Sequence, residues 1–170
     1  MLKILLLLLF YVYAVADNVY FLPTNKNEAL NKIITSISNA KQNINIAMYS
    51  FKNKTIAKKL AKIANKNISI NIILDSKALN KKSRLHYLSN QKNIKTYTLQ
   101  GAKRKNNKYY KMHSKYIIID NKIVIFGSTN YSNDSFSGNY EVVYISNKKD
   151  IIEKFNTDFN NMIQVSRRYK

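Results

Sequence analysis

The chain has 170 residues, of which 45% are hydrophobic, no cysteine, and a formal net charge of +20. This length and composition suit one domain with an adequate core, and the lack of cysteine excludes disulfide scaffolds and cysteine-ligated zinc sites. So large a positive charge favours a polyanionic partner, either nucleic acid or an anionic membrane surface.

The first residues differ in composition from the rest. Lys3 precedes an apolar run, Ile4 to Val12, and an Ala-Val-Ala sequence ends at Ala16. A basic start, a short apolar stretch and such an ending are typical of a secretory signal peptide, and the run is shorter than the roughly 20 residues of a membrane-spanning helix. We expect residues 1–16 to be a signal peptide or, alternatively, a retained membrane anchor. Residues 17–170 would then be an exported domain that is periplasmic, membrane-associated or secreted.

Apolar periodicity predicts strands that alternate with helices in the first half of the domain. In chain order the predicted elements are a strand at Val19–Leu22, a helix carrying Ala29 to Ile37, a strand from Ile44 to Phe51, a helix carrying Ile56 to Ile63 that stops near Asn67, a strand at Ile68–Leu74, a weaker helix carrying Leu79 to Leu88, and a strand at Ile94–Leu99. The second half predicts a basic loop at Gln100–Met112, strands at Lys115–Asp120 and Ile123–Phe126 joined by a turn, a strand at Tyr140–Ile145, and a helix carrying Ile151 to Phe159. The expected fold is a single α/β domain with a mixed, mostly parallel sheet flanked by helices on both faces.

Basic residues and tyrosines are concentrated in the predicted loop at Gln100–Met112, before the two strands that are joined by a turn. No acidic residue occurs from Ser76 to Ile119. Basic side chains with interleaved aromatic rings suit a groove that follows a phosphate backbone and stacks bases. The candidate nucleic-acid-binding residues are Lys103, Arg104, Lys105, Lys108, Tyr109, Tyr110 and Lys111.

His113 and Lys115 are the first candidates for chemistry. Alternate residues of a strand share a face, so these two side chains are expected to point the same way. An imidazole that can attack, beside a fixed positive charge, makes a site for a phosphate group. Asp120 is an odd number of positions from His113 and Lys115, so its side chain is expected to point to the opposite face of the strand. This favours a role in holding the turn or a neighbouring backbone segment. His86, the other histidine of the chain, is expected at the surface or in a groove.

A polar segment follows the predicted strand at Ile123–Phe126. Gly127 permits a close backbone approach, and the Ser128 hydroxyl and the Asn130 amide can donate to phosphate oxygens. Glu141 follows at the head of another strand, where its carboxylate could fix the tautomer of an imidazole. By contrast, residues 49–51 are expected in the core, because aromatic residues in strands are commonly buried.

The spacing of these residues resembles a known motif. His113, Lys115, Asp120, Gly127, Ser128 and Asn130 are similar to the HKD motif of the phospholipase D superfamily. Nearly the whole domain resembles the small bacterial Nuc-type endonucleases of that superfamily, and the tract from Lys105 to Lys115 resembles their exported, DNA-uptake branch in epsilon-proteobacteria. Supporting stretches are Ile46–Phe51, Ile70–Asp75 and Asn139–Glu141.

The resemblance implies a role for each of these residues. His113 would form a phosphohistidine, Lys115 and Asn130 would hold the non-bridging oxygens with help from Ser128, and Glu141 would orient the histidine. Asp120 would be structural. Because the superfamily uses two motif copies per active site and this chain has one, the resemblance implies a homodimer with a shared site. It implies neither a metal ion nor any other cofactor.

Three functions stay open at this point. The first is a nuclease that cleaves DNA, preferably single-stranded, in DNA uptake or nucleotide salvage. The second is a phospholipase D that acts on phosphatidyl lipids or cardiolipin with the same site, and the third is a non-catalytic module that binds DNA or an anionic membrane. The basic, tyrosine-bearing loop favours the first over the second, since a lipase needs an apolar channel or patch beside the site.

Overall fold

Eight strands form one sheet in residues 17–170, which are the part of the chain that the computed structural model describes. The strands are β1 (Asn18–Leu22), β2 (Asn43–Met48), β3 (Ser69–Asp75), β4 (Ile94–Leu99), β5 (Lys115–Ile119), β6 (Ile123–Gly127), β7 (Glu141–Ser146) and β8 (Arg167–Tyr169). The helices are α1 (Lys26–Ser38), α2 (Lys54–Ala64), α3 (Leu85–Ser89), α4 (Asn133–Ser137) and α5 (Lys149–Val165), with a 3₁₀ turn at Ser76–Ala78. The expected signal peptide or anchor lies outside the described residues, and within them no helix has the length and hydropathy needed to cross a membrane.

The strand order is β1-β7-β6-β5-β2-β3-β4-β8. The expected single α/β domain with a mixed sheet is confirmed, but the expectation of mostly parallel pairing is wrong. Within residues 17–170 only the β2–β3 and β3–β4 pairs are parallel, and the other five pairs are antiparallel. Helical crossovers after β2 and β3 return the chain to run in the same direction, whereas tight turns and chain reversals place the remaining strands antiparallel.

Side-chain alternation along the strands divides the core between the two faces of the sheet. Ile44, Ile46 and Met48 of β2 join the cluster that packs against α1 to α4, whereas Ala47 joins the cluster that packs against α5. Helices therefore cover both faces, as expected. This arrangement leaves the two ends of the strands as the places where loops and polar side chains gather.

One end of the sheet brings together the chain segments before β5 and after β2 and β3. The three parallel strands β2, β3 and β4 finish at this edge, and antiparallel β5 begins there. Met48 pairs with both Lys115 and Leu74 in the register. We call this end the carboxyl edge of the sheet, and the site described below lies on it.

Several elements differ from their predictions. Strand β2 ends at Met48, and Phe51 instead makes an isolated parallel bridge with Tyr131. Of the weak helix predicted from Leu79 to Leu88, only the part from Leu85 onward is helical, as α3. Neither α4 nor β8 was predicted. The last two have five and three residues, too few to show a clear hydrophobic period. Asn67 has a positive φ of 64°, consistent with the chain reversal expected after α2.

Candidate active site at the carboxyl edge of the sheet

His113 and Lys115 form the centre of the site. Lys115 Nζ donates to the carbonyl oxygen of His113 at 2.7 Å and lies 3.0 Å from His113 Nδ1. The imidazole is exposed, whereas Lys115 is 9% exposed because it begins β5 inside the sheet. The two side chains point the same way, as the strand parity predicts. A buried cation therefore lies beside an accessible imidazole, an arrangement that can bind and attack a phosphate group.

The surroundings favour the neutral form of His113. Loss of solvation at the site lowers the pKa of the imidazole, and the charges of Lys115 and Lys111 lower it further, against an opposing effect of Asp75. Burial also lowers the pKa of Lys115, while Glu141 acts to raise it. A histidine with a lowered pKa is neutral at pH 7 and able to act as a nucleophile.

Tyr49 packs against the imidazole. The two ring centroids are 4.6 Å apart with an interplanar angle of 56°. The ammonium groups of Lys111 and Lys115 lie 5.3 and 5.6 Å from the centroid of the Tyr49 ring. The expectation that residues 49–51 belong to the core is confirmed for Phe51, which is 1% exposed, and is wrong for Tyr49. The ring follows the end of β2, so it falls at the carboxyl edge and forms one wall of the site.

Asp75 supports the site from below and was not among the predicted residues. Its carboxylate is fully buried, and Oδ2 accepts a 2.7 Å hydrogen bond from the backbone N–H of Met112, the residue before His113. Oδ1 accepts from the N–H groups of Lys77 and Ala78 and so closes the 3₁₀ turn. One signal in the sequence could have indicated it: Asp75 is the only acidic residue between Glu28 and Asp120 and ends an apolar strand.

The segment that carries Asn130 is fixed by contacts at both of its ends. A Cβ atom on Gly127 would lie 2.0 Å from the carbonyl oxygen of Val142, so the expected close approach is present. The Thr129 hydroxyl donates to the same carbonyl oxygen at 3.2 Å. At the other end Tyr131 donates to the carbonyl of Ser50 and accepts from Lys52 and Asn53. Asn130 itself has a buried Oδ1 without a hydrogen-bond partner in the described residues.

Ser128 and Glu141 interact with each other. The Ser128 hydroxyl donates to Glu141 Oε2 and accepts from the N–H of Val142, and Glu141 Oε1 accepts from Asn139. Within residues 17–170 no hydrogen bond joins Glu141 to His113. The orientation of the histidine by Glu141 and the assistance of Ser128 at a phosphate oxygen therefore stay predictions. In this arrangement Ser128 positions the carboxylate.

Asp120 lies at the opposite edge of the sheet. Its two carboxylate oxygens accept hydrogen bonds from the backbone N–H groups of Lys41, Gln42 and Asn43, at 2.7 to 3.0 Å. It thereby joins the β5–β6 turn to the start of β2. These contacts fit the expected structural role, and Asp120 is separate from the site.

The basic loop is a short hairpin, which we call the basic hairpin (residues 100–112). Lys103 pairs with Tyr109, and Gly101 and Tyr110 are joined by a backbone hydrogen bond of 3.0 Å. The Arg104 guanidinium lies 4.1 Å above the Tyr110 ring. All seven predicted binding residues are exposed, and Lys111 extends from the hairpin over Tyr49. The predicted basic tract is thus adjacent to the predicted catalytic residues.

The basic hairpin is tied to the sheet at two points. Lys77 Nζ donates to the carbonyl oxygen of Tyr109 at 2.9 Å, and Asp75 holds Met112. Beside it lies a groove of about 600 Å³ whose lining includes Ser76, Lys103, Tyr109 and Arg167. Within residues 17–170 no group of three or more histidine and acidic side chains is placed to hold a metal ion. His86 is exposed, as expected.

Comparison with known proteins identifies the family. A family model described as "Cardiolipin synthase, PLD-like domain" matches residues 33–163. The chain belongs to the phospholipase D-like family. A search of curated proteins gives no match. Members of this family act on phosphodiester bonds, and the phospholipase D-like domain is an enzyme of that class.

Solved structures add detail to this assignment. NucT from Helicobacter pylori is 35% identical with a TM-score of 0.89, and the match covers 91% of this chain and 99% of that one. Nuc from Salmonella typhimurium, a phospholipase D family member, is 23% identical with a TM-score of 0.76, covering 92% and 99%. A phosphatidylserine synthase from Haemophilus influenzae is 14% identical with a TM-score of 0.67, covering 92% and 40%. The last two likenesses concern the fold alone.

Proposed function

We propose that the phospholipase D-like domain is an exported, metal-independent nuclease that cleaves DNA, preferably single strands, through a phosphohistidine on His113. The observation that carries the proposal is the accessible His113 imidazole, which touches Lys115 and Tyr49 and lies beside the basic hairpin. The likeness to NucT over almost the full length of both chains supports a nucleic acid substrate. Uptake of DNA or salvage of nucleotides is the process that an exported enzyme of this kind would serve.

In the proposed reaction an imidazole nitrogen of His113 attacks the phosphorus, and the bond from phosphorus to the leaving oxygen breaks. The leaving oxygen takes a proton from an acid, and water then breaks the phosphorus–nitrogen bond and restores the histidine. Lys115 and Asn130 hold the non-bridging oxygens. The ammonium group of Lys115 and the N–H groups of Asn130 stabilise the negative charge that develops on the phosphate oxygens in the transition state. A metal ion performs this task in other phosphodiesterases.

The contact between Lys115 and His113 has a consequence for the tautomer. An ammonium group that donates to Nδ1 leaves the neutral imidazole with its proton on Nε2. That form has no free lone pair on Nε2. An attacking Nε2 needs its proton on Nδ1, held by an acceptor such as a carboxylate, whereas a ring that protonates a leaving oxygen must first be an imidazolium with both nitrogens protonated. Two histidines in different states are therefore needed, and one chain has a single suitable histidine.

We propose that a homodimer supplies the second histidine. In a twofold dimer with His113 near the axis, one imidazole attacks and its symmetry mate protonates the leaving group. The dimer also brings a second Glu141 to the shared site, so that a carboxylate can orient the attacking ring. Association with a membrane through the N-terminal segment stays part of the proposal as an alternative to free export.

The test of the proposed function is cleavage of a fluorescently labelled single-stranded oligonucleotide in excess EDTA. Wild-type protein is expected to cut it, and the His113→Ala variant is expected to be inactive although it still binds. Loss of wild-type activity in EDTA that a divalent ion restores would refute the metal-independent mechanism. Radiolabelled phosphate trapped on wild-type protein but not on His113→Ala would support the phosphohistidine.

The second candidate function is a reaction on phospholipids, which the words "cardiolipin synthase" in the description of the matching family model favour. Vesicles that contain phosphatidylglycerol and cardiolipin are therefore tested beside DNA. Release of head group without DNA cleavage would replace the first proposal by the second, and DNA binding with neither reaction would indicate a binding module.

The dimer is tested by mixing variants. Sedimentation is expected to give twice the mass of one chain. Mixing wild-type protein with excess His113→Ala protein should reduce activity per wild-type chain, because mixed dimers have one histidine. Activity that stays proportional to the wild-type chains alone would contradict the shared site.

A further inference from the structure

We infer that the surface between α2 and α3 is a second nucleic-acid contact, separate from the basic hairpin, which binds phosphates and one base of the strand. This groove, of about 310 Å³, is lined by Lys54, Ala57, Lys58, Arg84 and Tyr87, and we call it the α2–α3 groove. The inference rests on the proposed function, because it assigns a further binding site to the same substrate.

The cations of the α2–α3 groove point to an anionic ligand. Lys54 and Lys58 are exposed, are four residues apart in α2, and so lie on one face of the helix with buried Ala57 between them. Residues at this spacing have Cβ atoms about 5–6 Å apart, so the two ammonium groups can contact neighbouring phosphates of one strand. Both ion pairs of residues 17–170 involve other lysines, so neither Lys54 nor Lys58 is neutralised by an acidic side chain.

Arg84 adds a buried donor that has no partner. Its Nε atom is removed from solvent and makes no hydrogen bond among the described residues. A buried, unpaired donor of a charged group is unfavourable, and rotation of the Arg84 side chain towards a phosphate oxygen in the groove would satisfy it. A solvated lysine face would not require such a donor, which distinguishes this groove from an ordinary basic surface.

Tyr87 supplies an aromatic surface beside these cations. It lies in α3, where its neighbours Leu85 and Leu88 are buried, while its own side chain is 40% exposed. Rings at the border of a basic groove stack bases without sequence preference. A phosphate-binding groove with one stacking ring fits a nucleic acid strand better than a lipid head group, which has no base to stack.

Backbone hydrogen bonds connect the α2–α3 groove to the candidate active site. The Arg84 N–H donates to the carbonyl oxygen of Phe51 at 2.9 Å, and Phe51 pairs with Tyr131, the residue after Asn130. The N–H groups of Lys52 and Asn53, directly before α2, donate to the carbonyl of Tyr131. The groove is therefore fixed to the segment that carries Asn130, so the two places can hold one strand in a constant relative position.

The test compares a long and a short substrate. The Lys54→Gln/Lys58→Gln variant is assayed on labelled oligodeoxythymidylates of 20 and 4 nucleotides and on bis(p-nitrophenyl) phosphate, beside a Lys41→Gln/Lys122→Gln control. The control removes the same charge from exposed positions at the opposite edge of the sheet. Losing two single-strand phosphate contacts should reduce the slope of log KM against log salt by about 1.4. Taken from 1 M salt, where these contacts contribute little, to 0.1 M, this slope change makes the KM for the 20-mer about 25-fold higher at 0.1 M salt.

The kcat values, the hydrolysis of the small diester and the behaviour of the control variant are expected to match those of wild-type protein. Tyr87→Ala should also raise the KM for the 20-mer, and Tyr87→Phe should restore it. Equal changes in the two double variants, or no change in either, would overturn the inference. So would an effect confined to hydrolysis of anionic phospholipid vesicles, which would make the groove a lipid site.

The two proposals fail in different ways. If wild-type protein hydrolyses the small diester but not DNA, the proposed function fails. The groove is then judged by the Kd of the same oligonucleotides measured by fluorescence anisotropy. An unchanged Kd and salt slope in Lys54→Gln/Lys58→Gln protein would overturn the second contact even where DNA is cleaved. Thermal melting of every variant excludes misfolding as the cause.

Discussion

Replacing Asp75 by asparagine tests how the fold holds the nucleophile in position. The carboxylate is buried and accepts three backbone N–H groups, two in the 3₁₀ turn and one at Met112. Asparagine has the same shape but only one acceptor oxygen. In the Asp75→Asn variant that oxygen can keep the 3₁₀ turn, but the amide nitrogen then faces the Met112 N–H, donor against donor.

The expected loss of stability follows from that one contact. A buried hydrogen bond to a charged acceptor contributes about 1.5–3 kcal/mol, and leaving its donor unpaired removes stability of the same order. We expect Asp75→Asn to lower the free energy of unfolding by about 2–3 kcal/mol, or the melting temperature by about 4–12 °C for a domain of this size. Urea and thermal unfolding measure both quantities.

Activity should fall more than stability alone explains. Met112 directly precedes His113, and a displacement of about 1 Å at a reacting group can reduce the rate about 100-fold. We therefore expect kcat for bis(p-nitrophenyl) phosphate to fall by about 10- to 100-fold at a temperature where the variant is folded. Because Asp75 acts to raise the pKa of His113, the NMR titration midpoint of His113 should also move to lower pH.

Glu153→Gln is the matched control for the loss of one carboxylate. Glu153 is exposed and lies 3.7 Å from Lys149 in a surface pair, so its replacement should change neither stability nor kcat measurably. If Asp75→Asn protein unfolds together with wild type and keeps its kcat, Asp75 does not position the nucleophile and this reasoning is refuted.

Four other predictions address single contacts. Lys111→Gln removes a charge that lowers the pKa of His113, so the NMR titration midpoint of His113 should move to higher pH; a midpoint that stays or falls contradicts this. Tyr49→Leu should lower kcat/KM by about 2- to 10-fold through loss of a ring contact of about 0.5–1.5 kcal/mol, while Tyr49→Phe keeps the activity; equal loss in both would implicate the hydroxyl instead. Gly127→Ala should destabilise the domain by about 3 kcal/mol or more, because the new Cβ meets the Val142 carbonyl at 2.0 Å and φ is +152°, whereas Gly138→Ala, with 3.6 Å of space, should be tolerated in the same unfolding assay. Asp17, whose pKa the contacts to Lys148 and Ser146 lower from 3.8 to about 2, should contribute stability at neutral pH that is lost as pH falls through that window, and Asp17→Asn should remove this dependence from acid unfolding curves.

Much of the fold was predictable because its signals are local. The helical period of α1 and α2, the apolar run of β3 and the turn at Asp120 and Asn121 depend on neighbours within a few residues. The pairing direction of the sheet was not predictable in this way. It depends on where each strand lies relative to strands distant in the sequence, such as β5 beside β2.

The same division applies to the candidate site. The sequence alone determined its central residues, because the spacing from His113 through Asn130 is specific and the strand parity places His113 beside Lys115. It also indicated a structural role for Asp120, because successive residues of a strand point to opposite faces and Asp120 therefore points away from His113 and Lys115.

Only the tertiary structure decided what surrounds those residues. Tyr49 became a wall of the site because β2 ends three residues earlier than its apolar pattern suggests. Asp75 supports Met112 across 37 positions of sequence, and Glu141 reaches Ser128 across 13. Contacts of this kind arise when strand ends from distant parts of the chain meet at one edge of a sheet, so they leave no periodic pattern in the sequence from which they could be predicted.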